Sequence, residues 1–193
     1  GTQYDFIISN SWQNINGYWL KKHLFSWFNT LGYANNLQGN ETAAIIRLAE
    51  VYLMQAEAWN EYLDKPDSRV YDPLDKVRER AGIPSVDEAW DKYSTNPGYQ
   101  NTQEGMREIV RAERMNELYL EGHKFFDIRR WKIAEQHCGM PDRGLNTNAT
   151  KVEDFTPMDL PLPRNFHKGQ YLMPIPYQEI NKCPHIVQNP YYN

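Results

Sequence analysis

The clearest pattern of apolar positions predicts a helix from Thr42 to about Leu63. Five apolar residues recur there at intervals of three and four, which places them on one stripe of an α-helix. Two alanines lie in the middle of this stripe, so a second helix can approach closely, and we expect helix-on-helix packing. The stripe consists of Ile45, Ala49, Tyr52, Ala56 and Trp59, and the opposite arc is shared by Arg47, Glu50, Glu57 and Glu61.

A second helix is predicted to begin at Asp72, which suits an N-cap, with Pro73 in the first helical position. Gly82 is expected to end it. Residues 85–103 contain few aliphatic side chains and several turn formers, so they predict an exposed loop. A short helical turn from Val86 to Trp90 is the one regular element expected in that loop.

Two more helical segments are predicted downstream. The first runs from about Thr102 to Gly122, with Thr102 or Gln103 at its cap. The second extends from Phe125 to about His137. The apolar arc of the longer helix is expected to contain Ile109, Ala112, Tyr119 and Leu120.

Beyond Cys138, eight prolines interrupt every candidate helix, which predicts an irregular tail. Its apolar content indicates that this tail packs down instead of remaining disordered. The expected fold class is mainly α, with tetratricopeptide-like helix pairs (an α–α superhelix) and a long Pro-rich tail. Within one 193-residue domain, the expected parts are an aromatic-rich loop region over 1–41, a helical scaffold over 42–137 and the tail over 138–193.

Length and charge limit the classes of function. A chain of 193 residues fits one compact domain or the trailing part of a larger one. The net charge of -4 offers no broad cationic surface, which disfavours nucleic acid and acidic lipid surfaces as partners. No run of about 20 apolar residues occurs, so any export signal or lipid anchor is expected upstream of residue 1.

Motifs for redox, metal or cofactor chemistry are missing from the sequence. Cys138 and Cys183 can form one disulfide bond or none, and no C-x-x-C spacing occurs. The five histidines form no H-E-x-x-H motif or other close metal pair, and there is no phosphate-binding Gly-rich loop or G-x-S-x-G elbow. We therefore expect no metal site, no cofactor and no enzymatic activity.

Three glutamates recur every four residues in the third predicted helix, namely Glu113, Glu117 and Glu121, an arrangement of like charges that is destabilising by itself. One hypothesis makes them catalytic carboxylates of the glycosidase type. The other makes them an internal ion network that locks helices together. We favour the network, because carboxylates saturated by arginine have lowered pKa values and are poor general acids. The candidate partners are Arg47, Arg78, Arg80, Arg111, Arg114, Arg129 and Arg130.

Aromatic residues are abundant, with six Trp, thirteen Tyr and seven Phe. An exposed ring stacks on the apolar C–H face of a sugar, while nearby Asn and Gln side chains supply hydrogen bonds for hydroxyl groups. The group as a whole favours a glycan-binding site, and the alternative is that most rings are ordinary core anchors. The candidate ligand-binding residues are Trp12, Tyr18, Trp19, Trp27 and Tyr33, and Trp90, Tyr93 and Tyr99 extend the hypothesis.

Three segments, in this order, resemble the SusD/RagB family of outer-membrane nutrient-binding lipoproteins. The first is IRLAEVYLMQAEA at residues 46–58, followed by DKVRERAG at 75–82; the second is ERMNELYLEGHKFFDIRRW at 113–131. The third is the ending, with MPIP at 173–176 and QNP at 188–190. Lys124 stands where the family usually has Arg, and Tyr191 where it usually has Gly.

The resemblance implies the C-terminal part of a longer, mostly helical surface lipoprotein. Such a protein is attached to the outer membrane by an upstream lipid and caps a SusC-like TonB-dependent β-barrel transporter, to which it delivers oligosaccharide or polysaccharide. The matching motifs are scaffold motifs, so they carry over no ligand-binding residue. An alternative is a structural module that docks the transporter while the ligand site lies elsewhere. A glycoside hydrolase would need two arginine-free carboxylates roughly 5–10 Å apart in an open cleft.

Overall fold

The computed structural model describes residues 18, 22, 44–160, 164–183 and 185–192. This part of the chain is mainly helical, as predicted, and none of its helices is both long and apolar enough to cross a membrane. The chain divides into two compact units, Leu31–Phe125 and Gly1–Thr30 with Phe126–Asn193. The helices are α1 (Leu48–Tyr62), α2 (Ser68–Ala81), α3 (Val86–Tyr93), α4 (Gln103–Glu117), α5 (His123–Arg130), α6 (Ala134–Gly139) and α7 (Tyr177–Lys182); the strands are β1 (Arg143–Leu145) and β2 (Pro157–Asp159).

The core of the first unit lies where α1 packs against α2 and α4, as the two-alanine stripe predicted. Leu53 and Ala56 of α1 are fully buried. Each large aliphatic side chain buried in this way contributes roughly 1.5–3 kcal/mol to folding. The other buried apolar residues of this core are Ala49, Val70, Leu74, Val77, Val86, Met106, Ile109, Val110 and Leu118.

α1 begins at Leu48, so the predicted start at Thr42 and the place of Ile45 in its stripe are wrong. Arg47 is extended instead of helical, with φ −132° and ψ 157°. In this conformation the Arg47 side chain pairs with the carboxylates of Glu117 and Glu121. We infer that these ion pairs favour the extended backbone over a further helical turn. Ile45 therefore precedes the helix and is exposed.

The opposite arc of α1 was predicted to carry charge, and this is wrong in part. Glu50 is buried beside His123. The exposed surface of the helix is formed mainly by apolar side chains, among them Leu48, Val51 and Tyr62. α1 therefore has an apolar inner side and an apolar outer side.

α2 begins at Ser68, because Asp67 supplies an N-cap five residues before the predicted N-cap, Asp72. The Asp67 carboxylate accepts a hydrogen bond from the Arg69 backbone N–H at 2.9 Å. The earlier start also buries Val70, which adds to the core. The predicted end at Gly82 is confirmed.

Residues 85–103 are more ordered than the predicted loop. The short turn expected at Val86–Trp90 is the eight-residue helix α3, which two side chains cap. Ser85 Oγ accepts from the Glu88 backbone N–H at 3.3 Å, and Asp75 Oδ1 of α2 accepts from the Val86 backbone N–H at 2.8 Å. Asp75 thus ties the start of α3 to α2.

α4 begins at Gln103 with Thr102 as its N-cap, as predicted. It ends at Glu117 instead of Gly122, since Leu120 (φ 66°) and Gly122 (φ 84°) have left-handed backbone conformations that an α-helix cannot contain. Tyr119 and Leu120 therefore lie beyond the helix. Of the predicted apolar arc, Ile109 is buried, whereas Ala112, Tyr119 and Leu120 are exposed.

The predicted helix from Phe125 to His137 is two helices, α5 and α6. Lys132, with φ 59°, breaks them apart. The tail is also more regular than predicted, since β1 and β2 pair antiparallel, with Gly144 opposite Met158. Pro157 is the first residue of β2 and Pro176 directly precedes α7. Prolines at such positions mark the boundary of an element without disrupting it.

Candidate functional site

The sequence-predicted ligand site falls almost wholly outside the described residues. Trp12, Trp19, Trp27 and Tyr33 belong to the part that is not described. Tyr18 is described, and 54% of its surface is exposed. Tyr18 therefore presents the accessible ring that sugar stacking requires.

The second aromatic group lies on α3 and the turn that follows it. The Trp90 and Tyr99 rings are 5.7 Å apart between centroids and tilted by 40°. Trp90 packs against the core, and the Tyr99 hydroxyl donates to Glu108 Oε2 at 2.8 Å. Tyr93 is 65% exposed, with Lys92 Nζ 5.1 Å from its ring centre. Of these three rings, Tyr93 is the one most open to a ligand.

A buried glutamine connects α3 to α2 through hydrogen bonds. Gln100 is fully buried, and its side-chain amide donates to Asp91 Oδ1 at 2.7 Å. The Tyr71 hydroxyl donates to the Gln100 backbone oxygen at 2.9 Å. Burial raises the pKa of Tyr71 from 10.0 to about 12, and the nearby carboxylates add to this effect. These hydrogen bonds connect the turn after α3 to α2 and to α3 itself. Tyr93 therefore lies on a helix that is held in place.

The three glutamates Glu113, Glu117 and Glu121, called here the glutamate column, form an ion network with arginines, as the favoured interpretation predicted. Arg47 makes a fork to Glu121, with Nε 2.7 Å from Oε2 and Nη2 2.8 Å from Oε1. The same guanidinium donates through Nη1 to Glu117 Oε1 at 2.5 Å and through Nη2 to the Glu117 backbone oxygen at 2.6 Å. The hydrogen bond to Glu121 is the main cause that raises the pKa of Arg47. One arginine thereby closes the C-terminal end of α4 against the start of α1.

Two arginines of α2 complete the network. Arg80 Nη2 donates to Glu117 Oε1 at 2.6 Å, so this oxygen accepts from two arginines. Arg78 pairs with Glu113 and also donates through Nε to the Pro84 backbone oxygen at 2.6 Å. Each glutamate of the column thus contacts an arginine, and the arrangement can hold α1, α2 and α4 in register.

No group of three or more His, Cys, Asp or Glu residues suited to a metal ion occurs among the residues that the structure describes. Cys138 and Cys183 are both free and partly buried thiols. The possibility of a disulfide bond between them is therefore not realised in this structure.

The C-terminal signature residues have structural roles in the second unit. The Gln188 side chain accepts from the Ile175 backbone N–H at 2.8 Å and donates to the Ile175 backbone oxygen at 2.9 Å. Asn189 Nδ2 donates to the Met173 backbone oxygen at 2.6 Å. The QNP and MPIP segments, separate in sequence, are therefore joined by hydrogen bonds between side-chain amides and the backbone, outside any regular strand.

Comparison with protein families decides the relationship, because the model of the SusD family matches residues 5–192. The chain belongs to the SusD family. Among curated relatives, SusD-like protein P2 of Formosa agariphila is 27% identical over 172 residues, covering 88% of this chain. The chain spans 30% of the length of that SusD-like relative.

Solved structures of SusD-like proteins show the same fold. The protein BT4246 is 33% identical with a TM-score of 0.64, over 80% of this chain and 26% of its own. A SusD-like protein from Bacteroides fragilis NCTC 9343 is 28% identical with a TM-score of 0.59, over 77% of this chain and 25% of its own. The expected tetratricopeptide-like helical fold is thereby confirmed.

Within this SusD-family scaffold, one feature escaped the sequence interpretation: the outer side of α1. The residues Leu48, Val51, Gln55, Ala58 and Tyr62 follow at intervals of three, four, three and four, and all are exposed. This spacing was visible in the sequence. It was missed because the stronger stripe through Ala49 and Ala56 seemed to account for the apolar residues of the helix.

Proposed function

We propose that this chain is the C-terminal part of a non-catalytic surface protein that binds oligosaccharide or another nutrient and delivers it to a TonB-dependent outer-membrane transporter. The observation that carries the proposal is the SusD family match over residues 5–192. SusD-like relatives suggest glycan or nutrient binding. Placement in the outer membrane through an upstream lipid anchor, beside a SusC-like β-barrel, is part of the same proposal.

Binding without catalysis is supported by the state of the carboxylates. A glycosidase needs one carboxyl group that gives up a proton and a second that attacks or activates water. Glu113, Glu117 and Glu121 are instead each hydrogen-bonded or paired with arginine. Their oxygens are therefore already occupied by arginine donors, so they are not the free pair of carboxyl groups that glycoside hydrolysis needs.

We place the ligand site on aromatic residues of the N-terminal segment, at Trp12, Tyr18, Trp19, Trp27 and Tyr33. Tyr18 supports this, since its ring is accessible. Tyr93 is the competing candidate, because it is exposed on an ordered helix. Stacking of one sugar on one ring contributes on the order of 1 kcal/mol, so several rings are needed for useful affinity.

Isothermal titration of the full-length protein against a panel of soluble polysaccharides tests the proposal. Heat on mixing with at least one polysaccharide, and no release of reducing sugar, is the expected result. Absence of binding to the whole panel, or release of product, would contradict it.

Variants then locate the site. Replacement of Trp12, Trp19 and Trp27 together by Ala should reduce affinity at least about tenfold, corresponding to about 1.4 kcal/mol. Tyr93→Ala serves as the matched control and should bind like the wild type. The reverse pattern would move the site to α3, and unchanged binding in both variants would place it outside these rings.

A second candidate function is docking of the transporter by this chain, with the ligand site elsewhere in the full-length protein. It is favoured by apolar side chains on the segments that Gln188 and Asn189 hold together. Leu172, Met173, Tyr177, Val187 and Tyr191 are all exposed there. Co-purification of the β-barrel with wild-type protein, but not with the Met173→Asp variant, would support this function.

A further inference from the structure

The residue that ends α5 has a strained backbone. Lys132 has φ 59°, which lies in the left-handed region that glycine usually occupies at the end of a helix. Its backbone N–H donates to the Arg129 oxygen at 3.1 Å, and the next N–H, that of Ile133, donates to the Ile128 oxygen at 3.0 Å. These bonds form a Schellman cap, in which glycine would be free of strain. A strained lysine at this position points to a use for its side chain.

The Lys132 side chain is positioned by an aromatic ring. Its Nζ lies 4.5 Å from the centre of the Tyr171 ring, within the range of a cation–π contact. Tyr171 meets the Phe166 ring edge to face, with centroids 4.8 Å apart, and its hydroxyl accepts from the Glu135 backbone N–H at 3.4 Å. Lys132 is nevertheless exposed. Its ammonium group is therefore ordered in advance and open to solvent, which lowers the entropy cost of binding a ligand.

Arg129 brings a second cation to the same segment of the tail. Its Nε donates to the Gln170 backbone oxygen at 3.1 Å, and its Cζ lies 5.2 Å from the centre of the Phe166 ring. Arg129 and Lys132 therefore lie over two neighbouring rings. We call Arg129, Lys132, Phe166 and Tyr171 the cation–aromatic patch, and all of it belongs to the unit that contains Phe126–Asn193.

Carboxylates do not balance the charge of this patch. Within the described part of the chain, Lys132 forms no ion pair with an acidic side chain. Asp127 is buried and pairs with Arg130, which leaves Glu135 as the nearest acidic residue in sequence. Lys168, in the same segment as Tyr171, adds a further exposed cation. The patch is thus locally basic in a chain whose net charge is -4.

A small basic patch of this kind suits an oxyanion. The ammonium group has three hydrogen-bond donors, and oxyanions are its strongest acceptors. In polysaccharides, such groups are the carboxylates of uronic acids and sulfate esters. An anionic membrane attracts clusters of about four to eight Lys or Arg residues, more than this patch offers. The negative net charge of the chain disfavours a nucleic acid.

We propose that the cation–aromatic patch binds the acidic groups of a polysaccharide, and that Lys132 contacts a carboxylate or sulfate oxygen directly. Arg129 adds positive charge beside this contact, and the two rings hold the cations in place. The inference rests on the proposed nutrient-binding function and adds the chemical class of the ligand. None of the patch residues belongs to the aromatic set proposed above as the ligand site.

Polysaccharides that differ only in charge test this inference on the full-length protein. Isothermal titration compares polygalacturonate with fully methyl-esterified pectin, and dextran sulfate with dextran. We expect tighter binding of the acidic member of at least one pair, with a preference that shrinks at high salt. Lys132→Gln should lower that affinity about tenfold, as expected for a lost hydrogen bond to a charged group, and should leave the neutral member unchanged. Lys132→Arg should retain most of the affinity.

Two further variants separate binding from folding and from overall charge. Lys132→Gly relieves the strained cap, so it should melt at the wild-type temperature or above it while it loses the same affinity. Lys76→Gln is the matched control. Lys76 Nζ also lies over a tyrosine, 5.1 Å from the centre of the Tyr52 ring, but on the regular helix α2. This variant should bind like the wild type.

Equal affinity of the wild type and Lys132→Gln for the acidic polysaccharides would overturn the inference. If neutral polysaccharides were still bound, the proposed function would stand. An equal loss in Lys76→Gln would also overturn the inference, since the effect would then come from overall charge. Binding of no polysaccharide, neutral or acidic, would contradict the proposed function and the inference together. Binding to phosphatidylglycerol vesicles that Lys132→Gln abolishes, without any preference for acidic polysaccharide, would assign the patch to a membrane instead.

Discussion

The guanidinium of Arg47 grips both carboxylate oxygens of Glu121, at 2.7 and 2.8 Å, across 74 positions of sequence. Arg47 directly precedes α1, and Glu121 follows the end of α4. The fork therefore closes a loop that contains four helices of the first unit. Both side chains are largely shielded from water, which limits screening by salt.

Arg47→Met should lower the free energy of unfolding by about 2–4 kcal/mol. The substitution leaves the Glu117 and Glu121 carboxylates without their main partner in a partly buried site. Urea denaturation followed by circular dichroism measures the change. Arg143→Met is the control, because the Arg143–Asp159 pair is exposed on both sides and should contribute less than about 1 kcal/mol. Equal losses in the two variants would show that the fork has no special role.

Asp75→Ala should destabilise the protein by about 1–3 kcal/mol. It removes the acceptor for the Val86 backbone N–H, and Val86 is fully buried. Burial is also the main cause that raises the pKa of Asp75. Asp72→Ala, an exposed carboxylate of the same helix, is the control and should stay within about 0.5 kcal/mol of wild type. Amide hydrogen exchange at Val86 should accelerate in Asp75→Ala alone.

The raised pKa of Tyr71 predicts that the folded protein loses stability in alkali. Its pKa is about 12 in the folded protein against 10.0 ordinarily, so between these values the folded chain keeps a proton that the unfolded chain has released. Unfolding then releases a proton, and the free energy of unfolding falls as pH rises from 10 towards 12. Tyr71→Phe should remove this part of the slope in denaturation experiments, whereas Tyr93→Phe, which removes an exposed hydroxyl, should retain it. A wild-type slope in Tyr71→Phe would assign the alkaline loss to other groups.

Gly82→Ala should destabilise by about 1–2 kcal/mol through backbone strain alone. Gly82 has φ 72°, a conformation that costs an L-residue this amount, while nothing lies within 4 Å of the added methyl group. Gly139→Ala also meets nothing within 4 Å, but Gly139 belongs to α6, so this control should be neutral or slightly stabilising. Similar melting temperatures for both variants would argue against strain at Gly82.

Gln188→Ala should loosen the end of the chain without unfolding the first unit. It removes both hydrogen bonds to the Ile175 backbone and one accepted from the Asn189 N–H. Faster limited proteolysis between residues 173 and 192 is the expected result. Gln178→Ala, on the exposed surface of α7, should be cleaved like wild type. Unchanged cleavage in Gln188→Ala would mean that other contacts hold the tail.

Local signals with one dominant cause were predicted well from the sequence. The Gly82 stop and the Thr102 cap each depend on a few neighbouring residues, and both are confirmed. The start of α1 was wrong because it depends on Glu117 and Glu121, which lie more than 60 residues away. The start of α2 was wrong because two adequate caps, Asp67 and Asp72, compete, and burial of Val70 decides between them.

The tail shows a different limit. Its prolines were correctly taken as unable to continue helices, but Pro157 and Pro176 stand at element boundaries where they do no harm. The pairing of segments within the tail depends on backbone hydrogen bonds. One of these runs from the Leu160 N–H to the Asp142 backbone oxygen at 2.7 Å. Such pairing has no local signature in side chains. The ligand site stays a prediction, since four of its five residues lie outside the described structure.

The attachment at Gln188 and Asn189 has a consequence for the protein surface at position 173. Both side-chain amides form hydrogen bonds with backbone atoms of residues 173 and 175, and these bonds do not depend on the side chains there. Any residue with an ordinary backbone can therefore occupy position 173 without detaching the end of the chain. The surface chemistry at position 173 can therefore be altered while these hydrogen bonds remain, so the same attachment can present different faces to whatever lies beside it.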